Sequence, residues 1–257
     1  MPPLPPQREK RIVGTSLKMY FDLPSTLRYI DSVATLSAAA EKANVDLFVI
    51  PDFVTLLPSK DKLNNTTVWL GAQDAYSEDH GAFTGEVSPL TLAQAGVKIV
   101  EIGHAERRRL FGEKDADVAA KAAAVVRHGM IPLICIGEKS QSQIASQAVG
   151  LAVQECKPQI EAALSRLPGD TEVILAYEPV WAIGAAEPAG KDHVVAVTQN
   201  LRALVQGRKG RTRILYGGSA GPGTFQGLKE GVDGCFLGRF AHDVGNLEKV
   251  IEEMAQP

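Results

Sequence analysis

Three residue types that together move protons beside a carbonyl stand at the downstream edges of apolar runs in this chain. Lys18 comes after RIVG, His104 after KIVEIG, and Glu178 closes EVILAYE. Two small-residue loops complete the set, with Gly217, Gly218 and Ser219 after RILY and Gly238 and Arg239 after GCFL. A carboxylate can remove a carbon-bound proton, and a neutral imidazole can polarise the neighbouring carbonyl oxygen and shuttle protons between adjacent oxygens. An ammonium offsets the charge that builds on the resulting enediolate. Glycine loops leave backbone N–H groups open to a close-approaching anion such as phosphate. Each feature alone has a plainer reading. A lysine is most often a solvated cation, a glutamate a salt-bridge partner, a histidine at a strand end a structural group, and YGGSAGPG a tight turn. The fold must bring them together before they mean more.

The elements that would do so recur at even intervals. RIVG, DLFVI, TVWLGA, KIVEIG, IPLICIG, EVILAYE, RILYGG and GCFLGR each have the length and β-branched content of a parallel strand buried on both faces. Alanine-rich stretches with helical periodicity lie between them, including residues 115–128 and 193–204. Gly129 marks the end of the first before the next strand begins. Eight strand–helix units in a chain of 257 residues predict one closed (β/α)₈ barrel, an α/β fold, over residues 11–257. The competing doubly wound sheet lacks a G-x-G-x-x-G after the first strand. Active sites of such barrels sit at the C-terminal ends of the strands, and phosphate is commonly held by the loops after strands seven and eight. All of the residues named above fall on that predicted rim.

Composition narrows the partners. A hydrophobic content of 45%, a charged content of 22% and a net charge of −3 suit a soluble globular protein and give no electrostatic case for nucleic acid or an anionic membrane. No apolar run reaches the roughly 20 residues that span a bilayer. The opening MPPLPPQREKR reads as a mobile arm over residues 1–10, extended or polyproline-like, without a signal region. Cys135, Cys156 and Cys235 are odd in number and lack CxxC spacing. They predict free thiols in a reducing, cytoplasmic compartment, with neither a disulfide frame nor a zinc site. With no metal cluster or dinucleotide fingerprint in the chain, no metal and no cofactor are expected.

LKMY, IGHAERRRLFGE, AYEPVWAIG, YGGSAGPG and VDGCFLGR, in that order, resemble the signature blocks of the triosephosphate isomerase family. GAQDAYSEDHGAFTGEVSPL resembles the long loop after that family's third strand. The resemblance implies that Glu178 is the catalytic base, His104 the electrophile and Lys18 the electrostatic partner, with Glu106 contacting Lys18. From the family it also implies that the histidine works as a neutral ring whose pKa a helix N-terminus lowers. Gly184, Ser219 and Gly238 match positions that give N–H groups to phosphate, and residues 179–190 match the lid that closes over substrate. Phe83 and Thr84, near the tip of the loop over residues 73–85, match the segment that reaches a neighbouring subunit, which implies a homodimer.

The chain departs from the family where substrate identity is decided. Ser16 stands in place of an asparagine, Ala105 in place of a serine, and Arg239 in place of a glycine of the last phosphate loop. In the lid, Ala185, Ala186 and Glu187 replace a Thr-Gly-Lys run. Ser16 frees room deep in the pocket, and Arg239 adds a cation beside the phosphate loops. The pair resembles the family branch that isomerises four-carbon erythrulose phosphates in erythritol breakdown. The expected function is therefore isomerisation of a small ketose phosphate through an enediolate, with an erythrulose phosphate favoured. Two alternatives stay open: a triosephosphate isomerase proper, serving glycolysis and gluconeogenesis, and a barrel that binds sugar phosphate without turning it over.

Overall fold

A computed structural model describes residues 10–142 and 144–256. Eight strands form the frame: β1 (Arg11–Ser16), β2 (Val45–Ile50), β3 (Trp69–Ala72), β4 (Ile99–Ile102), β5 (Ile131–Ile136), β6 (Val173–Tyr177), β7 (Thr212–Tyr216) and β8 (Gly234–Leu237). All neighbours are parallel, and β8 pairs with β1 to close the barrel. The helices around it are α1 (Leu23–Thr35), α2 (Ser37–Lys42), α3 (Leu56–Leu63), α4 (Pro89–Gln94), α5 (Ala105–Leu110), α6 (Asp115–Arg127), α7 (Ala145–Leu164), α8 (Lys191–Val205), α9 (Thr224–Leu228) and α10 (Val244–Ala255). The eight apolar runs all became strands. In TVWLGA the Thr67 N–H turns away to bond Ser37, and the strand begins at Trp69.

The strands lack polar alternation because both their faces are covered. One face fills the barrel with Ile12, Phe48, Ile50, Ile99, Leu133, Cys135, Ile174, Leu215 and Phe236. The other packs the helices through a larger shell that includes Val13, Val49, Val100, Ile134 and Leu175. All three cysteines are buried and free, as the strand-like surroundings of two of them suggest. Local signals set helix ends. Asp22 caps α1 by accepting from the Ser25 N–H, and Asp117 in the first turn of α6 accepts from the Lys114 N–H. Gly129 follows α6 with φ of 72°, a left-handed turn that lets the chain drop into β5.

The end of the barrel away from the strand C-termini is closed by charge. Arg213 is buried, bonds Asp46 at 2.6 Å and Glu172 at 2.8 Å, and lies 5.2 Å over the Trp69 ring. Lys10 joins this group at 2.7 Å from Asp46. The rest of the expected N-terminal arm lies outside the described residues. Among the described residues, no helix is long and apolar enough to cross a membrane.

Candidate active site

A cavity of about 740 Å³ opens at the C-terminal ends of the strands. Lys18, His104 and Glu178 line it together with Ser16, Glu106, Gly184, Gly217, Ser219, Gly238 and Arg239. Gly218 does not line it. Its carbonyl instead accepts the Tyr216 hydroxyl, and a Cβ there would meet that oxygen at 2.6 Å.

Lys18 sits just past β1 with φ of 49°, a left-handed conformation that a side chain rarely adopts. Gln73 holds it there by donating to the Lys18 carbonyl at 2.8 Å. The Lys18 ammonium donates to Glu106 Oε1 at 2.9 Å. Burial pulls its pKa down, but the Glu106 hydrogen bond and charge, with Glu178 and Glu101 beyond, carry it above the ordinary 10.5. The ammonium therefore keeps its charge in the pocket.

His104 forms the N-cap of α5, and its Nδ1 accepts the backbone N–H of Glu106 at 3.1 Å. A ring nitrogen that accepts carries no proton, so the proton of the neutral imidazole lies on Nε2. Burial, with the Lys18 charge added, lowers the His104 pKa to about 4 against an opposing pull from Glu106. The ring is thus a neutral donor whose Nε2 lies 3.6 Å from Glu178 Oε2.

Glu178 leaves the end of β6, and its N–H is tied to the Ile136 carbonyl at 2.8 Å. The carboxyl fits only because position 217 is glycine, since a Cβ there would lie 2.6 Å from Glu178 Oε1. Burial and the nearby Glu101 raise its pKa to about 8, against Lys18 and the Cys135 thiol. Its Oε2 has no hydrogen-bond partner among the described residues. A buried carboxylate with one oxygen unengaged and a raised pKa is poised to take a proton near neutral pH.

The loop side of the cavity brings two left-handed turns and an arginine together. Gly184 and Ser219 both have positive φ, at 73° and 59°. The Ser219 N–H turns back to the Gly217 carbonyl at 3.1 Å, while its hydroxyl donates to the Ala182 carbonyl at 2.9 Å. Arg239 donates to the Gly184 carbonyl at 3.2 Å and makes no ion pair among the described residues.

Residues 179–190 are held at both ends. Near the start, Trp181 Nε1 donates to Glu138 Oε1 at 3.0 Å, and Tyr177 donates to the same oxygen at 3.1 Å. Near the end, the Ala189 N–H donates to the Tyr216 hydroxyl at 2.7 Å. The altered Ala185 and Ala186 lie against the cavity between these anchors. In the loop over residues 73–85, Phe83 is 39% exposed and its ring packs 4.5 Å from Tyr76, with Thr84 exposed beside it.

Sequence reasoning did not single out Glu101, Glu138 or Tyr216, and it read Cys135 only as a free thiol. Glu101 carried a visible signal, a lone acid inside the apolar run KIVEIG, and Tyr216 is hidden because its ring reads as core. Among the described residues there is no group of three or more His, Cys, Asp or Glu placed to hold a metal ion.

A sequence model of triosephosphate isomerase matches residues 11–254. The chain is 43% identical over 254 residues to an L-erythrulose-1-phosphate isomerase of Pectobacterium atrosepticum, covering 95% of both chains. It is 39% identical over 251 residues to one of Rhizobium meliloti, covering 95% of this chain and 96% of that one. It is also 39% identical to one of Brucella abortus biovar 1, over 247 residues and the same shares.

Proposed function

The chain belongs to the triosephosphate isomerase family and is an isomerase, and from that premise we propose that it interconverts L-erythrulose 1-phosphate and D-erythrulose 4-phosphate. The observation that carries this reading is the joint placement on the cavity wall of Ser16 and Arg239, two of the positions where the chain departs from the triose pattern. The names of the relatives point the same way.

The geometry supports the following course for the reaction. The phosphate sits against the Gly184, Ser219 and Gly238 loops with Arg239 beside it. Glu178 removes the proton from C3, next to the C2 carbonyl, and the electron pair moves onto the C2 oxygen. His104 Nε2–H stabilises that oxygen and relays a proton between the C2 and C3 oxygens, while Lys18 offsets the enediolate charge. Protonated Glu178 then returns its proton to C2, which leaves the carbonyl at C3. Both substrate and product are ketoses, and no redox partner is consumed.

The same reading treats residues 11–257 as one catalytic domain, working in the cytoplasm with three reduced thiols in a route that degrades erythritol. It also makes the protein a homodimer, which is supported by the exposed Phe83 and Thr84 on a loop close in sequence to the family's inter-subunit loop. Nuclear magnetic resonance of L-erythrulose 1-phosphate in D₂O tests the chemistry. Conversion to D-erythrulose 4-phosphate with deuterium entering at the exchanging carbon is expected. An unchanged substrate spectrum would refute the reading.

A further inference from the structure

We propose that Ser16 and Glu101 form a subsite for the terminal hydroxymethyl group of a four-carbon substrate, in which Glu101 fixes the hydrogen-bond polarity of the Ser16 hydroxyl. This rests on the reading given above and names the groups that would select for the fourth carbon.

Side chains on β4 alternate between the two faces of the sheet. Val100 and Ile102 join the outer shell, whereas Ile99 joins the barrel interior, so Glu101 points inward with it. Glu101 is buried, at 3% exposure, in a bore otherwise lined by residues such as Ile50, Leu133 and Phe236. Nothing in that apolar lining answers a carboxyl group. Burial raises its pKa to about 7, with the Ser16 hydroxyl and the Lys18 charge pulling back and Glu106 and Asp74 pushing up. Glu178 and Cys135 share its surroundings, since Glu101 raises the pKa of both.

Ser16 Oγ and Glu101 Oε2 are both buried with no well-aligned hydrogen-bond partner among the described residues, and the Ser16 hydroxyl is near enough to Glu101 to lower its pKa. Ser16 lines the cavity and Glu101 supports it from within the barrel. A buried polar atom left unpaired is costly, and two at one end of a pocket mark a place where a polar group belongs. The direction is set by the rest of the site. With phosphate on the Ser219 and Gly238 loops and the reacting carbon at Glu178, the substituent that a tetrulose adds to that carbon extends away from the phosphate, toward the floor. An ionised Glu101 only accepts, so it draws the Ser16 proton and leaves Ser16 Oγ to accept from the substrate's terminal hydroxyl. A triose phosphate has no such hydroxyl and leaves the Ser16 oxygen unanswered, which is how a built polar site rejects the smaller analogue.

The test compares kcat/KM on L-erythrulose 1-phosphate and on dihydroxyacetone phosphate for the wild type and Glu101→Leu. The expected result is a wild-type preference for the four-carbon sugar whose ratio falls about tenfold or more in the variant. A merely structural role for Glu101 would lower both activities together and leave the ratio in place. That outcome overturns the subsite while the four-carbon reading survives. A wild-type preference for the triose overturns both. If Glu101→Leu does not fold, the isosteric Glu101→Gln is read by the same ratio. Calorimetric binding of the two sugars to Glu178→Gln, with and without Glu101→Gln, repeats the comparison without turnover.

Discussion

His104 Nε2 and Glu178 Oε2 lie 3.6 Å apart on the cavity wall, each free of a direct hydrogen bond to the other. The imidazole is committed on its far side to the Glu106 backbone, and the carboxyl on its near side to nothing. Donor and acceptor line the same cavity next to one another, so a substrate lying over them meets the imidazole with its carbonyl oxygen and the carboxyl with the carbon beside it. Opposite shifts keep the pair complementary, with the histidine neutral above about pH 4 and the glutamate ionising near 8.

Those shifts fix the pH dependence. Glu178 acts as a base only when ionised, so kcat/KM should fall about tenfold per unit as pH drops below about 8. His104 adds no loss across that range, because its folded pKa is about 4. A profile flat down to about pH 5 would contradict the assignment of the base.

Glu178→Gln should lower kcat by about 10²- to 10⁴-fold while the barrel stays folded. It should also stabilise. A carboxyl whose pKa is raised on folding, here from 4.5 to about 8, holds its proton more tightly when folded, and its contribution to stability is lost as pH rises through that window. The Tm gain of Glu178→Gln over the wild type should therefore be larger near pH 8 than near pH 5. An equal gain at both values would sink the linkage.

Tyr216 ties the end of residues 179–190 to the barrel by accepting from Ala189 and donating to Gly218. Tyr216→Phe removes both bonds, at about 1 kcal/mol each, and should lower kcat/KM about tenfold with faster amide exchange at Ala189. Unchanged exchange would show that the anchor lies elsewhere.

Lys121 lies buried between Asp74, at 2.8 and 3.0 Å, and Glu113. Lys121→Met leaves two buried carboxyls to Arg107, which sits 2.7 Å from Asp74 and 2.9 Å from Glu113. The expected loss in urea unfolding is about 3–5 kcal/mol. A loss of less than about 1 kcal/mol would mean that Arg107 alone neutralises the pair.

The barrel was legible in the sequence because a parallel strand covered on both faces writes itself as an unbroken apolar run, as DLFVI and IPLICI do. The rim residues were legible because the chemistry of such folds collects just after those runs, where Lys18, His104 and Glu178 stand. Glu101 escaped the same procedure because it lies within its strand. The Asp74–Lys121 pair joins positions 47 residues apart, and only the closed fold brings them together. Gly218 was expected on the cavity wall beside Gly217, yet the Tyr216 hydroxyl claims its carbonyl. A phenol's partner is not written in the run RILYGG.

The account stands most directly on substrate choice. The purified protein should be assayed on L-erythrulose 1-phosphate and dihydroxyacetone phosphate side by side, and then again with Ser16→Asn. The wild type is expected to be far more efficient on the four-carbon sugar, and filling the floor with asparagine should move that preference toward the triose. A wild type more efficient on dihydroxyacetone phosphate would contradict the account and make Ser16 and Arg239 neutral changes in a triose enzyme.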